Sequence, residues 1–425
     1  MPGVTPRRLA AAALLVAALL ALGGCPPPQQ PAKTTPPTTT PLPAQPKTTG
    51  GTAPATTSGL TGLATAKFDP NVPDIKVGVF MALTGAQATF GQSSSNAIRL
   101  AAEEINAKGG IGGKQVRLIV KDDRSRKEDA ASCVRMLLDQ DKVDAILGEV
   151  ASSSSLAAAP LCQEAGVPMI TPSSTNPRVT QVGDCIFRVC FTDDFQGQVM
   201  AKFARRTLKA QMAAILTDVA NDYSVGLAKR FREVFTELGG KIVAGDTSYA
   251  EGDKDFSGQL TKIAAADPDV LFVPGYYTDV ALVAKQAKTH NLRATICGGD
   301  GYDSPKLVAL AGDAANGLYF SNHCWKGDPS PVVRGFYQAY QAKHGEEPDA
   351  LAALGYDAMY VLAHALAAAG STDKAAVRDR IAATTGFAGV TGTFSIDAQR
   401  NAKKAAVVLT IKNGQQALAE TVPAD

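Results

Sequence analysis

The sequence has little that could serve catalysis or bind a metal. It holds 4 His and 1 Trp in 425 residues, and His290, His323, His344 and His364 fall in separate segments. It contains no Gly-x-Ser-x-Gly elbow, no His-Glu-x-x-His pair and no phosphate-cradling Gly-rich loop. No two cysteines have the close spacing of a zinc knuckle, so neither metal nor cofactor is expected. Charge of one sign is missing as well. The 42 basic and 40 acidic residues nearly cancel, which offers nothing to nucleic acid or an anionic surface as partner. Past the first two dozen residues no segment reads as long and apolar enough to span a bilayer. Asp122-Asp123 and Asp193-Asp194 have the residue type for acid–base work, but loop and hinge positions explain them equally. An enzyme is not expected.

What is present begins at the N-terminus. Arg7 and Arg8 precede an apolar run from Leu9 to Leu22. That run is short of the roughly 20 residues a membrane helix needs, so it reads as a secretory signal over residues 1–24. It ends in Leu22-Gly23-Gly24-Cys25, which resembles a bacterial lipobox. The resemblance implies cleavage before Cys25 and lipidation there, on the outer side of a bacterial membrane. From residue 25 to 66 the chain is Pro, Thr, Gln, Ala and Gly. Such a composition cannot bury enough surface to offset its ordering entropy, and its prolines keep it extended, so it reads as a tether.

Six cysteines follow Cys25: Cys133, Cys162, Cys185, Cys190, Cys297 and Cys324. An exported chain permits disulfides, and six thiols allow 15 connectivities. Cys133–Cys162 and Cys297–Cys324 are candidate bridges, and free buried thiols are the equal alternative.

The body, from Ile75 onward, alternates strand and helix patterns. Strands are expected at 75–80, 116–120, 143–147, 167–170 and 185–189, then at 213–217, 241–244, 270–273, 295–296, 392–396 and 406–411. Helices are expected around 98–105, 136–138 and 156–165, then at 225–238, 256–265, 280–288, 332–343 and 351–369. Repeated βα units argue for an α/β fold with parallel sheets covered on both faces. Two such blocks argue for two doubly wound lobes. In open α/β sheets ligands sit outside the carboxyl ends of the strands.

Four segments there stand out. Leu83–Gly91 offers glycines and Phe90. Gly148–Ser155 places four serines at a helix start, where hydroxyls and free N–H groups suit a carboxylate, although plain capping explains serines too. Thr171–Pro177 could share that carboxylate or be an ordinary Pro/Ser/Asn turn. In Gly298–Asp303, Asp300 between glycines could receive an ammonium group or simply cap a turn. A carboxylate pocket facing an acid matches an α-amino acid zwitterion.

Several stretches in order resemble the branched-chain amino-acid-binding proteins, the Leu/Ile/Val-type periplasmic binding proteins. They are Glu103–Gly113 leading to Asp122-Asp123, Ser152–Ser155, Pro168–Pro177, Asn221–Leu227, Lys254–Ser257, Pro274–Tyr277 and Ala311–Gly317. The resemblance runs from about Ile75 to the C-terminus. It implies the type I fold, two doubly wound parallel-sheet lobes joined by a multi-strand hinge. On that frame lobe 1 comprises residues 75–193 plus 324–391, and lobe 2 comprises 194–323 plus 392–425. The resemblance also implies the site. Ser152 takes the substrate carboxylate, Ser173 and Thr175 contact carboxylate and ammonium, Phe90, Tyr223 and Tyr276 form aromatic walls, and Asp300 receives the α-ammonium. Trp325 is a further pocket neighbour.

Two departures from that family are visible. Its leucine-type members have Glu where this chain has Asp300. The cysteine that precedes the serine run is Ala151 here, and the region of its disulfide partner reads Asp123-Arg-Ser-Arg126, so that family disulfide is absent. The expected function is the substrate-binding component of an ABC importer for a small amino acid, acting as a monomer with permease subunits in the membrane. Rival readings are an amide or other small carboxylate as ligand, or a sensor that docks on a membrane receptor.

Overall fold

A computed structural model describes residues 62–424. The signal, Cys25 and the tether up to residue 61 lie outside the described residues. The end of the expected tether is docked rather than free. Leu63 is 2 % exposed within the core, and its carbonyl accepts from Gly112 N at 2.8 Å.

Five strands make the first sheet: β1 (Ile75–Met81), β2 (Val116–Asp122), β3 (Ala145–Leu147), β4 (Met169–Thr171) and β5 (Ile186–Arg188). They run in the order β2-β1-β3-β4-β5 with every pair parallel. The connections carry α1 (Ala88–Ala107), α2 (Lys127–Asp139), α3 (Ser152–Glu164) and the short α4 (Arg178–Gln181). Val77 pairs with both Leu118 and Ala145, and Ile170 with Phe187. Near-continuous apolar strands of this kind are what a sheet covered on both faces requires.

The chain then passes to a second sheet. Thr192 caps α5 (Asp193–Arg206) by accepting from Phe195 N. Two acids open that helix and two arginines close it, each the favourable sign for its end of the helix dipole. The strands β6 (Met212–Asp218), β7 (Lys241–Ile242), β8 (Thr247–Tyr249), β9 (Val270–Phe272), β10 (Thr295–Gly298) and β11 (Tyr319–Asn322) follow. They alternate with α6 (Asp222–Glu237), α7 (Ser257–Ala265), α8 (Tyr277–Thr289) and α9 (Pro305–Ala311).

Next come α10 (Pro331–His344), α11 (Ala350–Ala369) and α12 (Lys374–Ala382). These return to the first sheet, where α11 packs along α1 and touches β4. A small antiparallel sheet of β12 (Phe387–Gly389), β13 (Gly392–Ile396) and β14 (Ala402–Lys403) leads to β15 (Ala406–Lys412) and β16 (Gln415–Val422). Those two strands complete the second sheet in the order β16-β15-β11-β10-β9-β6-β7, with β8 also on β6. The β11–β15 and β15–β16 pairs are antiparallel. The chain therefore crosses between sheets after β5, after β11 and before β15.

Some expectations need correction. Helix α5 begins at the acid pair read as loop or hinge, and neither β11 nor β16 was foreseen. Both strands lack the near-continuous apolar run that marks β1, β3 and β9. Helix α11 is long and apolar enough to cross a membrane by composition, contrary to the reading that no such segment exists. In the fold it is a core helix, and 89 % of its apolar window is buried. Gly355 lets it reach α1, since a Cβ there would lie 2.7 Å from Ser94 O. Its polar groups are matched: Tyr356 and Tyr360 hydroxyls donate to Glu104 at 2.6 and 2.8 Å. Neither suggested disulfide forms. All six described cysteines are free and buried, and burial pushes Cys133 up to about 11 and Cys297 up to about 12, so their thiols stay protonated.

Candidate functional site: a cavity between the two sheets

The carboxyl ends of the strands of the two sheets face one another, and a narrow cavity of about 20 Å³ lies between them. Its lining is Phe90, Val150, Ser152, Ser173, Thr175, Tyr223, Tyr276, Asp300, Gly301 and Leu351. All seven residues singled out as ligand contacts are there together, although up to 210 positions separate them in sequence. Trp325 does not line it; its ring lies against Gly327 instead. Val150, Gly301 and Leu351 were not foreseen. Leu351 begins α11, far along the chain from every loop motif, and only the packing of α11 on α1 brings it in.

The first-sheet side is built on hydroxyls. The cis peptide Gly148–Glu149 starts the turn into α3, and Gly148 has φ +143°, with a would-be Cβ only 2.3 Å from Phe80 O. Only glycine fits there. Ser152 Oγ accepts from Asn176 N at 3.2 Å, and Ser173 Oγ donates to Val150 O at 3.1 Å. The serine run divides its work. Ser152 reaches the cavity, Ser153 accepts from Asp222 N across the cleft at 3.0 Å, and Ser155 turns inward to Ser174 Oγ at 2.7 Å.

Arg188, with no exposed surface, holds the Thr171–Pro177 turn from below. Its guanidinium donates to Ser174 O, to Asn176 O at 2.7 Å and to Thr180 Oγ1 at 3.3 Å. Sequence reasoning missed Arg188 because a strand arginine carries no motif.

The second-sheet side is aromatic and acidic. Tyr223 and Tyr276 stack at 5.3 Å with ring planes 4° apart, and Phe90 meets Tyr276 edge-on at 5.8 Å. Tyr223 Oη accepts from Gly301 N at 3.2 Å. Asp300 is 5 % exposed. Its Oδ1 accepts from Gln196 Nε2 at 3.1 Å and its Oδ2 pairs with His323 Nε2 at 2.9 Å. Gln196 Oε1 takes donors from Asp300 N and Ser321 Oγ, so its amide nitrogen must be the side facing Asp300. The same nitrogen donates to Asp193 Oδ1 at 2.9 Å. Burial pushes Asp193 up to about 7, with Asp300 adding to the rise.

Beneath the serine turn lies Glu149, fully buried. Its carboxyl accepts from Ala82 N at 2.8 Å and Ala151 N at 2.5 Å. Asp123, whose Oδ1 accepts from Ser125 N at 3.0 Å, acts on it electrostatically: burial pushes Asp123 up to about 7, and burial first, then the Asp123 charge, raises Glu149. Two buried carboxyls near one another share a proton because both cannot ionise cheaply. The family resemblance puts a disulfide between these two segments; here each contributes a buried carboxyl instead.

Because the folded pKa values lie above the unfolded carboxylate range, the folded state binds the extra proton between about pH 4 and 7. This term therefore favours folding at the acid end and is lost as pH rises through 7. Asp123→Asn is expected to reduce the fall in melting temperature between pH 5 and pH 8, as read by calorimetry. An unchanged slope would mean that the pair does not share a proton.

Open α/β sheets whose post-strand loops converge on one polar and aromatic cavity define a solute-binding architecture. The comparisons agree with it. The periplasmic binding protein family model matches residues 74–416, and the chain belongs to that family. An amino acid binding protein of Pseudomonas aeruginosa is 33 % identical over 323 residues, 75 % of this chain and 84 % of that one. A Leu/Ile/Val-binding protein of Rhizobium johnstonii is 33 % identical over 303 residues, 71 % of this chain and 81 % of that one.

Among solved structures, a leucine binding protein from Thermotoga maritima superposes with TM-score 0.79 at 41 % identity, covering 82 % of this chain and 99 % of its own. A branched-chain amino acid transporter substrate binding protein from Streptococcus pneumoniae, solved with isoleucine, gives 0.78 at 37 % identity, over 82 % and 99 %. The fold is the type I periplasmic binding protein fold, and the family is one of binding proteins.

Proposed function

We propose that this chain is the extracytoplasmic substrate-binding component of an ABC importer and that its ligand is a small aliphatic α-amino acid, branched-chain first. The observation that carries the reading is the cavity. Ser152, Ser173 and Thr175 stand on one wall, and Asp300 with the Tyr223–Tyr276 stack stands on the other. Hydroxyls suit the ligand carboxylate, Asp300 suits its ammonium, and Phe90, Val150 and Leu351 suit an aliphatic side chain. Relatives named for leucine, isoleucine and valine support the same choice. Membership of the family supports an extracytoplasmic location, and lipidation at Cys25 would hold the body to the membrane beside its permease. A monomer with freely moving lobes fits this role.

We assign lobe 1 to residues 75–193 plus 324–391 and lobe 2 to 194–323 plus 392–425, with closure about the three crossings. Contacts already spanning the cleft would support the closed form. Ser153 Oγ donates to Asp222 Oδ2 at 3.0 Å, and Arg178 pairs with Asp222 at 3.1 Å. Thr89 meets the Tyr277 hydroxyl at 3.0 Å. A ligand drives closure only through its preference for the closed state. Moving an open-to-closed ratio from 1:99 to 99:1 takes about 5.5 kcal/mol. A few charge-assisted hydrogen bonds of about 1.5–3 kcal/mol each suffice.

The test is a thermal-shift panel on the unacylated chain, refolded free of carried-over ligand, against amino acids, amides, short carboxylates and sugars. A ligand at 100 times its Kd adds about 2.7 kcal/mol, a rise of several degrees. A rise with leucine, isoleucine or valine and none with sugars is expected. A response to carboxylates or amides alone would overturn the zwitterion reading.

A further inference from the structure

The acceptor carboxylate does not stand alone at the hinge. His323 follows β11, on the second crossing between the sheets, and its side chain has no exposed surface. Its ring lies flat on Phe191, on the first crossing, with centroids 3.7 Å apart and planes 24° from parallel. From that fixed position Nε2 meets Asp300 Oδ2 at 2.9 Å. Nδ1 is buried with no hydrogen-bond partner among the described residues. A carboxylate can only accept, so the ring's proton sits on Nε2.

We propose that His323 is a positioning residue for ammonium recognition: held by Phe191, it acts as a neutral Nε2–H donor that aims the Asp300 carboxylate into the cavity. The inference rests on the amino-acid reading and deepens it. Asp is one methylene shorter than the Glu expected at this place from the family resemblance. A shorter acid has fewer ways to point, and Gln196 and His323 fix both its oxygens from behind. The forward face of the carboxylate is then left for the ligand ammonium.

A proton on Nδ1 would have two costs. It would place a donor where there is no acceptor, and a cation beside the ligand ammonium on one shared carboxylate. The charged groups facing the ring are Asp300 and Asp303 from the second sheet side and Lys404 from the third crossing. Asp193 lies one hydrogen bond further back through Gln196. Burial holds the imidazole below its ordinary 6.5, with Asp300 opposing that and Lys404 reinforcing it. A bound ammonium pushes in the same direction as burial, so ligand binding disfavours the ring's proton. Binding should then release a proton at acid pH. Affinity should rise with pH until the unliganded ring has lost its proton, which burial sets below the ordinary imidazole range, and be flat above that point.

The experiment is titration calorimetry with leucine and isoleucine at pH 7.5 and at steps down to pH 5, in buffers of different ionisation enthalpy. Wild type, His323→Ala and His323→Gln are compared. The expected result at pH 7.5 is an affinity about 10- to 100-fold lower for His323→Ala, the size of one hydrogen bond to a charged group. His323→Gln, which keeps an N–H donor, should recover most of it. Wild type should lose affinity and release protons as pH falls, and His323→Gln should not.

A merely structural histidine would change stability without changing this pH profile. If wild type shows no proton release and a flat profile to pH 5, and folded His323→Ala binds as tightly as wild type at pH 7.5, the inference is overturned. If wild type binds amino acids but all three proteins bind alike, the positioning role fails and the amino-acid reading stands. If wild type binds no amino acid, the reading itself fails and this inference with it.

Discussion

Asp300→Ala is expected to reduce amino-acid affinity by roughly a hundred- to a thousandfold, measured by titration calorimetry at neutral pH. The ligand ammonium would enter a site where Asp300 is 5 % exposed and where Tyr223, Tyr276 and Phe90 exclude water. Removing one partner of a buried charge pair costs about 3–5 kcal/mol because the other charge is left unpaired in a medium that solvates it poorly. Ser152→Ala tests the opposite end of the ligand. It removes one hydroxyl among several donors, and a net hydrogen bond is worth about 0.5–1.5 kcal/mol, so the loss should stay near tenfold. Circular dichroism melts should show the unliganded Asp300→Ala protein still folded, with the loss of a buried carboxylate set against the Gln196 and His323 donors left unpaired. Equal and small losses from the two substitutions would contradict the pose, with the ammonium at Asp300 and the carboxylate at the serines.

Arg188→Met should have the largest effect on stability, about 2–5 kcal/mol in urea unfolding with the slope unchanged. Arg188 is a buried cation with no carboxylate in ion-pair range among the described residues. Its charge is solvated by the carbonyls of Ser174 and Asn176 and the Thr180 hydroxyl. Burial lowers its pKa. Methionine fills much of the volume but donates nothing, and each buried carbonyl left without a donor costs about 1–3 kcal/mol. The damage should not stay in the core. Ser173, Thr175 and Asn176 all lie on the turn that Arg188 holds, and Asn176 N is the donor to Ser152 Oγ. Ligand affinity should therefore fall together with stability, which calorimetry on the folded fraction would show. A stable variant with wild-type affinity would mean that the turn holds its own shape.

The two substitutions separate two kinds of legibility. Asp300 could be picked from sequence because its place is a rule of topology: it follows a strand of an open α/β sheet, where ligands sit. The same rule found Phe90 and the segments that hold Ser152, Ser173 and Thr175, whereas the choice of those three residues, and Tyr223 and Tyr276, came from the family resemblance. Arg188 could not be picked, because a strand arginine is usually a surface residue, and nothing local says that this one points into the turn of a neighbouring loop. His323 stands in the sequence only as one of four scattered histidines. It is buried, but its partner is Asp300, 23 positions away across two strands.

Apolar strands and helical repeats were enough to place most of the βα units of both sheets, though not α5 or β11, and with them the site loops at the strands' carboxyl ends and the polarity of the cavity, because period and turn chemistry act over a few residues. Tertiary structure alone decided which serine lines the cavity, that Leu351 closes it, that the apolar α11 lies in the core, and that Asp123 and Glu149 are buried near one another. Those outcomes depend on contacts between residues tens to hundreds of positions apart, where burial turns an ordinary side chain into a hydrogen-bond partner and no local pattern records the choice.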